Sequence, residues 1–255
     1  MPPQIPTMTL IYHPLSPYSR KVYMLAHELD LTSQITLQKV VVCPILNYPG
    51  WSDNNADLVS AGNPLAKIPT LVIHDPKAGD VPIFDSRAIC ETLRDMAVSN
   101  SSSTSATRNQ GWLEIARERT LASIADGILD AQILITYETT LRAEKNILMP
   151  EWIEGQTAKI QRSLDALERD FAGTKFLSQT GGMGEVAVAV AIDCTEARVT
   201  NRDWKVGRPE LAKWWEGWRE RESFQMTKPS LDWKTGRKAD LGPLPADPKL
   251  LGSRM

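Results

Sequence analysis

Ser16-Pro17-Tyr18-Ser19 stands between a short apolar run, Met8-Thr9-Leu10-Ile11-Tyr12, and a stretch with helical spacing. With sulfur in place of the two hydroxyls the tetrapeptide would be Cys-Pro-Tyr-Cys, the C-x-x-C pattern of thiol–disulfide exchange, which needs a thiolate at its first position. Serine cannot exchange disulfides. At a strand-to-helix turn its hydroxyl can still donate a hydrogen bond to a thiol that a ligand brings in. Serine as N-cap and proline as first helical residue are also ordinary helix starts, so the tetrapeptide alone leaves both readings open.

Two further stretches carry chemistry. Asn63-Pro64-Leu65-Ala66-Lys67-Ile68-Pro69-Thr70-Leu71 leads into an apolar strand, and a proline at a strand's start can form a cis peptide. Such a proline leaves the preceding residue's N–H and C=O outside the sheet ladder, where an extended peptide ligand can pair with them as one more strand. Asp85-Ser86 then falls where a strand ends and a helix begins. Helical N–H groups behind Ser86 suit a carboxylate, and Asp85 suits an ammonium, so the pair fits the zwitterionic end of an α-amino acid. A capping residue with an acid beside it has the same look.

These segments need elements to hold them. Val22, Leu25, Ala26 and Leu29 give the first helix one apolar face. Ile35–Val42 reads as a strand ended by Cys43-Pro44, and Thr70–Ile73 and Val81–Phe84 as a hairpin across the turn-rich 74–80. A helix starts at Ser86, with Ile89, Leu93 and Met96 on one face. The order β-α-β, long loop, β-β-α predicts a thioredoxin-like α/β domain over residues 1–98. A Ser/Thr-rich linker follows at 99–108. Residues 109–229 predict an all-helical domain, with one long helix through Leu121, Ile124, Ala125, Ile128, Leu129 and Ile135 and others through Ile153–Phe171 and Pro209–Trp218. Val186–Ile192 alternates as a strand does, but the breaker-free run toward Thr200 reads as a helix apolar all round and hence buried. Seven of the eight tryptophans follow residue 108, at spacings that read as core rather than ligand cage. The proline-rich 230–255 reads as an extended tail.

Composition excludes more than it specifies. A chain of 255 residues suits two domains of roughly 100–150 each. A net charge of −2 argues against nucleic acid or an anionic membrane as partner. No apolar run reaches the roughly 20 residues of a spanning helix, and the start resembles no signal peptide. Cys43, Cys90 and Cys194 are odd in number and far apart, and with His13, His27 and His74 they show no metal-ligand spacing. They are expected to be reduced thiols of a cytoplasmic protein without a catalytic metal.

Taken in order, the three motifs resemble the cytosolic glutathione transferase family, over roughly residues 8–229, and are most similar to serine-type members of bacteria and fungi. Gln110-Gly111-Trp112-Leu113, Trp152-Ile153-Glu154-Gly155-Gln156 and Arg221-Glu222-Ser223-Phe224 extend the likeness into the helical half. The resemblance implies that glutathione is the co-substrate and that Ser16 donates a hydrogen bond to its thiol. It implies that Lys67, Ile68 and Pro69 hold the cysteinyl backbone and that Asp85 and Ser86 hold the γ-glutamyl end. Tyr18, inside the turn, is the alternative donor. Tyr12, Arg119, Asp126 and Tyr137 are candidates for lining the pocket of a small electrophile. A homodimer is expected.

A non-catalytic module of the same fold, acting through protein contacts, is the rival reading. The intact set of Ser16, Pro69 and Asp85-Ser86 favours the enzyme. A thioltransferase is disfavoured because neither position 16 nor 19 is cysteine. Three features depart from the family pattern. Gly182-Met183-Gly184-Glu185 keeps only the acid of a Ser/Thr-x-x-Asp capping box, which puts local stability in question. The loop over 44–62 is long and aromatic, and the tail carries no readable motif.

Overall fold

β1 (Met8–Tyr12) is the strand on which the α/β half is assembled. It pairs in parallel with β2 (Ile35–Lys39) on one side and antiparallel with β3 (Thr70–Asp75) on the other. β4 (Gly79–Ile83) closes the sheet in the order β2-β1-β3-β4. This computed structural model describes residues 5–45, 55–100, 111–177, 179–198 and 203–229. The 101–108 part of the expected linker, residues 46–54 of the aromatic loop and the tail over 230–255 lie outside the described residues.

α1 (Pro17–Glu28) follows β1, α2 (Asn55–Ser60) precedes the loop into β3, and α3 (Ser86–Asn100) follows β4. The helical half contains α4 (Trp112–Tyr137), α5 (Pro150–Asp170), α6 (Met183–Arg198), α7 (Pro209–Trp218) and α8 (Glu222–Met226). The thioredoxin-like α/β unit and the all-helical remainder are thus as the periodicities predict, and α6 is the buried helix expected from its uniform apolarity.

Several boundaries differ. β2 stops at Lys39 because its partner ends at Tyr12; beyond it the Val40 N–H still reaches the Tyr12 carbonyl. The hairpin is tighter than predicted. Asp75 Oδ1 accepts the N–H groups of Lys77 and Ala78, Gly79 takes a positive φ of 78°, and pairing resumes there rather than at Val81. α3 continues past Met96 to Asn100, into the expected linker. Trp204, Trp214, Trp215 and Trp218 are buried, but Trp112 is 80% exposed and Trp152 42%. Both exposed rings sit in the first turns of their helices, before the packed faces begin.

The main core runs through both halves. Leu10, Val22, Leu25, Leu71, Ile89 and Leu93 continue into Ile128, Leu164, Val188 and Trp215 in one buried cluster. A smaller cluster of Ile11, Val40, Leu58 and Val72 lies on the other side of the sheet, under α2. Gly62 lets this segment approach the edge strand: φ is 90°, and a Cβ there would meet Pro82 Cγ at 2.6 Å.

The reduced capping box of α6 is no defect. Glu185, 3% exposed, reaches back across the helix start. Its carboxylate accepts the N–H groups of Gln179 (2.5 Å), Gly181 (2.8 Å) and Gly182 (3.4 Å) and the Thr180 hydroxyl (3.0 Å). One acid thus gathers donors that a serine cap and an acid would otherwise share. At the far end of α1, Glu28 joins the halves by accepting from Arg221 (2.5 Å) and from the Ser223 hydroxyl. Burial alone would raise its pKa, but these donors outweigh it and hold the carboxyl below the ordinary range.

Glu185→Ala is expected to leave several buried donors unsatisfied and to cost about 3 kcal/mol, against about 1 for an ordinary cap. Urea unfolding measures this; a loss below about 1 kcal/mol would mean that water replaces the carboxylate without penalty.

Candidate functional site

The first turn of α1 is built by its own sequence. Ser16 is extended (φ −80°, ψ 116°), and its Oγ accepts the Ser19 N–H at 3.2 Å, while Pro17 begins the helix without a donor to waste. The serine is therefore a helix cap, as the plain reading of the tetrapeptide has it. That bond uses an oxygen lone pair and leaves the hydroxyl proton for donation. The two hydroxyls differ in access: Ser16 is half-buried, whereas Ser19 is 1% exposed. Only Ser16 can meet a ligand without rearrangement.

Tyr18 directs its hydroxyl to Asp130 on α4. Burial and then that carboxylate raise its pKa, so the phenol stays protonated and occupied at the seam between the halves. Two cations of the same helix are buried beside it. Lys21, its side chain 2% exposed, meets Asp126 at 2.5 Å, and Arg20 pairs with Asp193 of α6 beneath the Phe224 ring. Burial raises the Asp126 pKa, against the pull of Lys21. Asp126, a candidate for the electrophile pocket, is therefore the counter-ion of Lys21. Arg119 lies on the α3–α4 seam, 3.3 Å from Glu91.

The loop before β3 is held by a residue whose role the sequence did not reveal. Asn63, fully buried, donates to the Lys67 carbonyl (2.9 Å) and Thr70 Oγ1 (2.7 Å) and accepts the Leu65 N–H (3.0 Å). Ile68–Pro69 is cis, as the position predicts. The β1–β3 ladder begins at Thr70, so the backbone of Ile68 lies outside it. Lys67 is exposed, Ile68 half-buried and Pro69 buried. At the start of α3, Ser86 is buried and Asp85 exposed; Asp85 Oδ1 accepts the N–H groups of Arg87 (3.1 Å) and Ala88 (3.4 Å). The acid caps the helix with one oxygen.

Of the remaining pocket candidates, Tyr12 is half-buried at the end of β1 against the main core. Tyr137 ends α4 near Cys43 and Arg198, and burial raises its pKa. Arg198 ties this end of α4 to the serine turn, donating to Thr136 Oγ1 (3.3 Å) and to the carbonyl of Leu15 (3.5 Å). Burial lowers its pKa. Neither Arg198 nor Cys43 is marked by local sequence: they come near Tyr137 only in the folded chain. Among the described residues no cluster of three or more His, Cys, Asp or Glu side chains is arranged to hold a metal ion, and no helix is long and apolar enough to cross a membrane.

Comparison with known proteins gives the same outline. Residues 15–96 match the family model described as glutathione S-transferase, N-terminal domain. The chain is 31% identical over 222 residues to the uncharacterized GST-like protein YibF of Escherichia coli (strain K12), covering 87% of this chain and 98% of the relative. A glutathione transferase family member from Pseudomonas fluorescens Pf-5, solved with bound glutathione, is 32% identical with a TM-score of 0.73, over 88% of this chain and all of that one. A glutathione S-transferase from Methylobacillus flagellatus KT, solved with GSH bound, is 29% identical with a TM-score of 0.65, over 88% of this chain and all of that one.

Lys21→Met should cost about 2–3 kcal/mol, because it leaves Asp126 largely buried without its cation. Adding Asp126→Leu should recover most of that loss. Additive penalties in denaturant unfolding would show that the pair is not a unit.

Proposed function

The chain belongs to the glutathione transferase family, and from that premise we propose that it binds glutathione along the α/β half and activates its thiol through Ser16 for attack on a small electrophile. The observation that carries this reading is the half-buried Ser16 hydroxyl at the N-terminus of α1, its oxygen fixed by Ser19 and its proton available. A thiol of pKa 8.5 is only about 3% thiolate at pH 7, and lowering it by two units gives roughly 75% for about 2.7 kcal/mol. One charge-assisted hydrogen bond supplies about 1.5–3 kcal/mol and the helix N-terminus about 0.3–1 more. Together they suffice without a general base. Ser16 donates and never becomes the nucleophile.

In this reading the cysteinyl backbone of glutathione pairs with Ile68 ahead of Pro69, beside Lys67. Ser86 and the start of α3 take the γ-glutamyl carboxylate. Asp85 takes the ammonium with its second oxygen. That relatives at 29–32% identity were solved with glutathione bound supports glutathione as the ligand. The electrophile sits between the halves, against Tyr12, Tyr137 and Arg198. Conjugation, or a glutathione-dependent step on a small molecule, is the reaction class, in a cytoplasmic homodimer.

Ser16→Ala should raise the pKa of bound glutathione, followed by thiolate absorbance, and lower turnover roughly 10–100-fold while affinity stays within a few-fold. Asp85→Ala should do the reverse, weakening binding more than turnover. An unchanged thiol pKa in Ser16→Ala would move the donor elsewhere. Sedimentation at micromolar concentration should give a dimer; a species of 28.4 kDa would contradict the assembly.

A further inference from the structure

Ahead of Ser16, two consecutive main-chain N–H groups end on one residue. The Leu15 N–H donates to His13 Nδ1 at 3.2 Å, and the Ser16 N–H donates to the His13 carbonyl at 2.9 Å. His13 is 5% exposed, so water cannot readily take over the first of these bonds. An acceptor on residue i that captures the N–H of i+2 is the geometry of an Asx turn, made here with an imidazole. Because Nδ1 accepts, it carries no proton, and the ring proton sits on Nε2.

Resting on the glutathione reading above, we propose that His13 is a positioning residue for Ser16: its neutral ring fixes the Pro14–Leu15 peptide, next to the Ser16 N–H that the His13 carbonyl holds, and thereby aims the serine hydroxyl at the ligand's sulfur. The chain from ring to hydroxyl is short. His13 pins Leu15 and Ser16, Ser16 Oγ holds the Ser19 N–H, and the Ser16 carbonyl takes the Arg20 N–H at 3.0 Å. One residue, Leu15, separates the N–H that the imidazole holds from the donor. A hydrogen bond to a thiolate depends steeply on donor placement, and misplacement by about 1 Å can cost on the order of a hundredfold in rate. His13 touches neither sulfur nor electrophile in this scheme.

The test compares His13→Leu and His13→Ala, which lack an acceptor, with His13→Asn, whose Oδ1 can take the same N–H. Glutathione is the probe. Thiolate absorbance against pH, calorimetric affinity and turnover with 1-chloro-2,4-dinitrobenzene are the readouts. His13→Leu should raise the bound thiol's pKa by about one unit, a tenfold loss of thiolate on the acid side, and lower kcat about tenfold. Affinity should stay within about threefold, since the peptide's other contacts are untouched. His13→Asn should titrate within about 0.3 unit of the parent. An unchanged thiol pKa in His13→Leu, or His13→Asn as impaired as His13→Leu, overturns the proposal. If the Leu and Ala variants both fail to fold while Asn folds, the ring serves stability alone and the proposal is again overturned. Ser16→Ala in the same titration separates the two levels. If it leaves the thiol pKa at the parent's value, the serine reading fails and the His13 proposal with it; if only the His13 variants are silent, the serine reading stands.

Discussion

α1 sends three polar side chains across the seam between the two halves, and each ends on an acid: Tyr18 on Asp130, Lys21 on Asp126, Arg20 on Asp193. Two of these carry a positive charge out of water, which is unfavourable by several kcal/mol per ion unless a partner is in place. α4 and α6 supply those partners, so the helix that begins at Ser16 has one position in which its charges are compensated. The serine turn inherits that position. Glu28 and Arg221 tie the opposite end of the same helix to α8. A site whose donor must sit within hydrogen-bond reach of a ligand atom gains from such a fixed mount.

The three motifs of the proposed glutathione site were legible as element starts because each is local. Ser16 to Ser19, Asn63 to Leu71 and Asp85-Ser86 are contiguous, and strand and helix periods place each at an element's start. The supporting partners were not legible. Lys21 and Asp126 lie 105 residues apart, Tyr18 and Asp130 112, and Arg20 and Asp193 173. No periodicity links such residues, and Asp126 therefore read as a pocket residue. Glu185 shows a different failure. The missing serine of the capping box suggested weakness, whereas one buried carboxylate collects four donors from the preceding loop. Trp112 and Trp152 fit helical spacing but precede the faces that pack, so their exposure followed from neighbours rather than from pattern.

The proposed electrophile side is built differently from the proposed glutathione side. Tyr137, Arg198 and Cys43 come from the end of α4, the end of α6 and the segment after β2; Arg198 and Cys43 come near Tyr137, and Arg198 reaches the Leu15 carbonyl, only in the folded chain. Such a wall can change with one helix end while the three local motifs stay as they are. This is why the sequence points to glutathione more clearly than to the proposed electrophile.

The central claim is that Ser16 faces the sulfur of bound glutathione, and Ser16→Cys tests it most directly. Incubated with oxidised glutathione, the new thiolate at the helix N-terminus should attack one sulfur of the disulfide. The S–S bond breaks, a protein–glutathione disulfide forms and one glutathione leaves as thiolate. Intact mass should then show one added glutathionyl group that the parent, with three buried cysteines, does not acquire under the same conditions. A Ser16→Cys protein that folds, keeps an ordinary thiol pKa and gains no such adduct would contradict the assignment of Ser16.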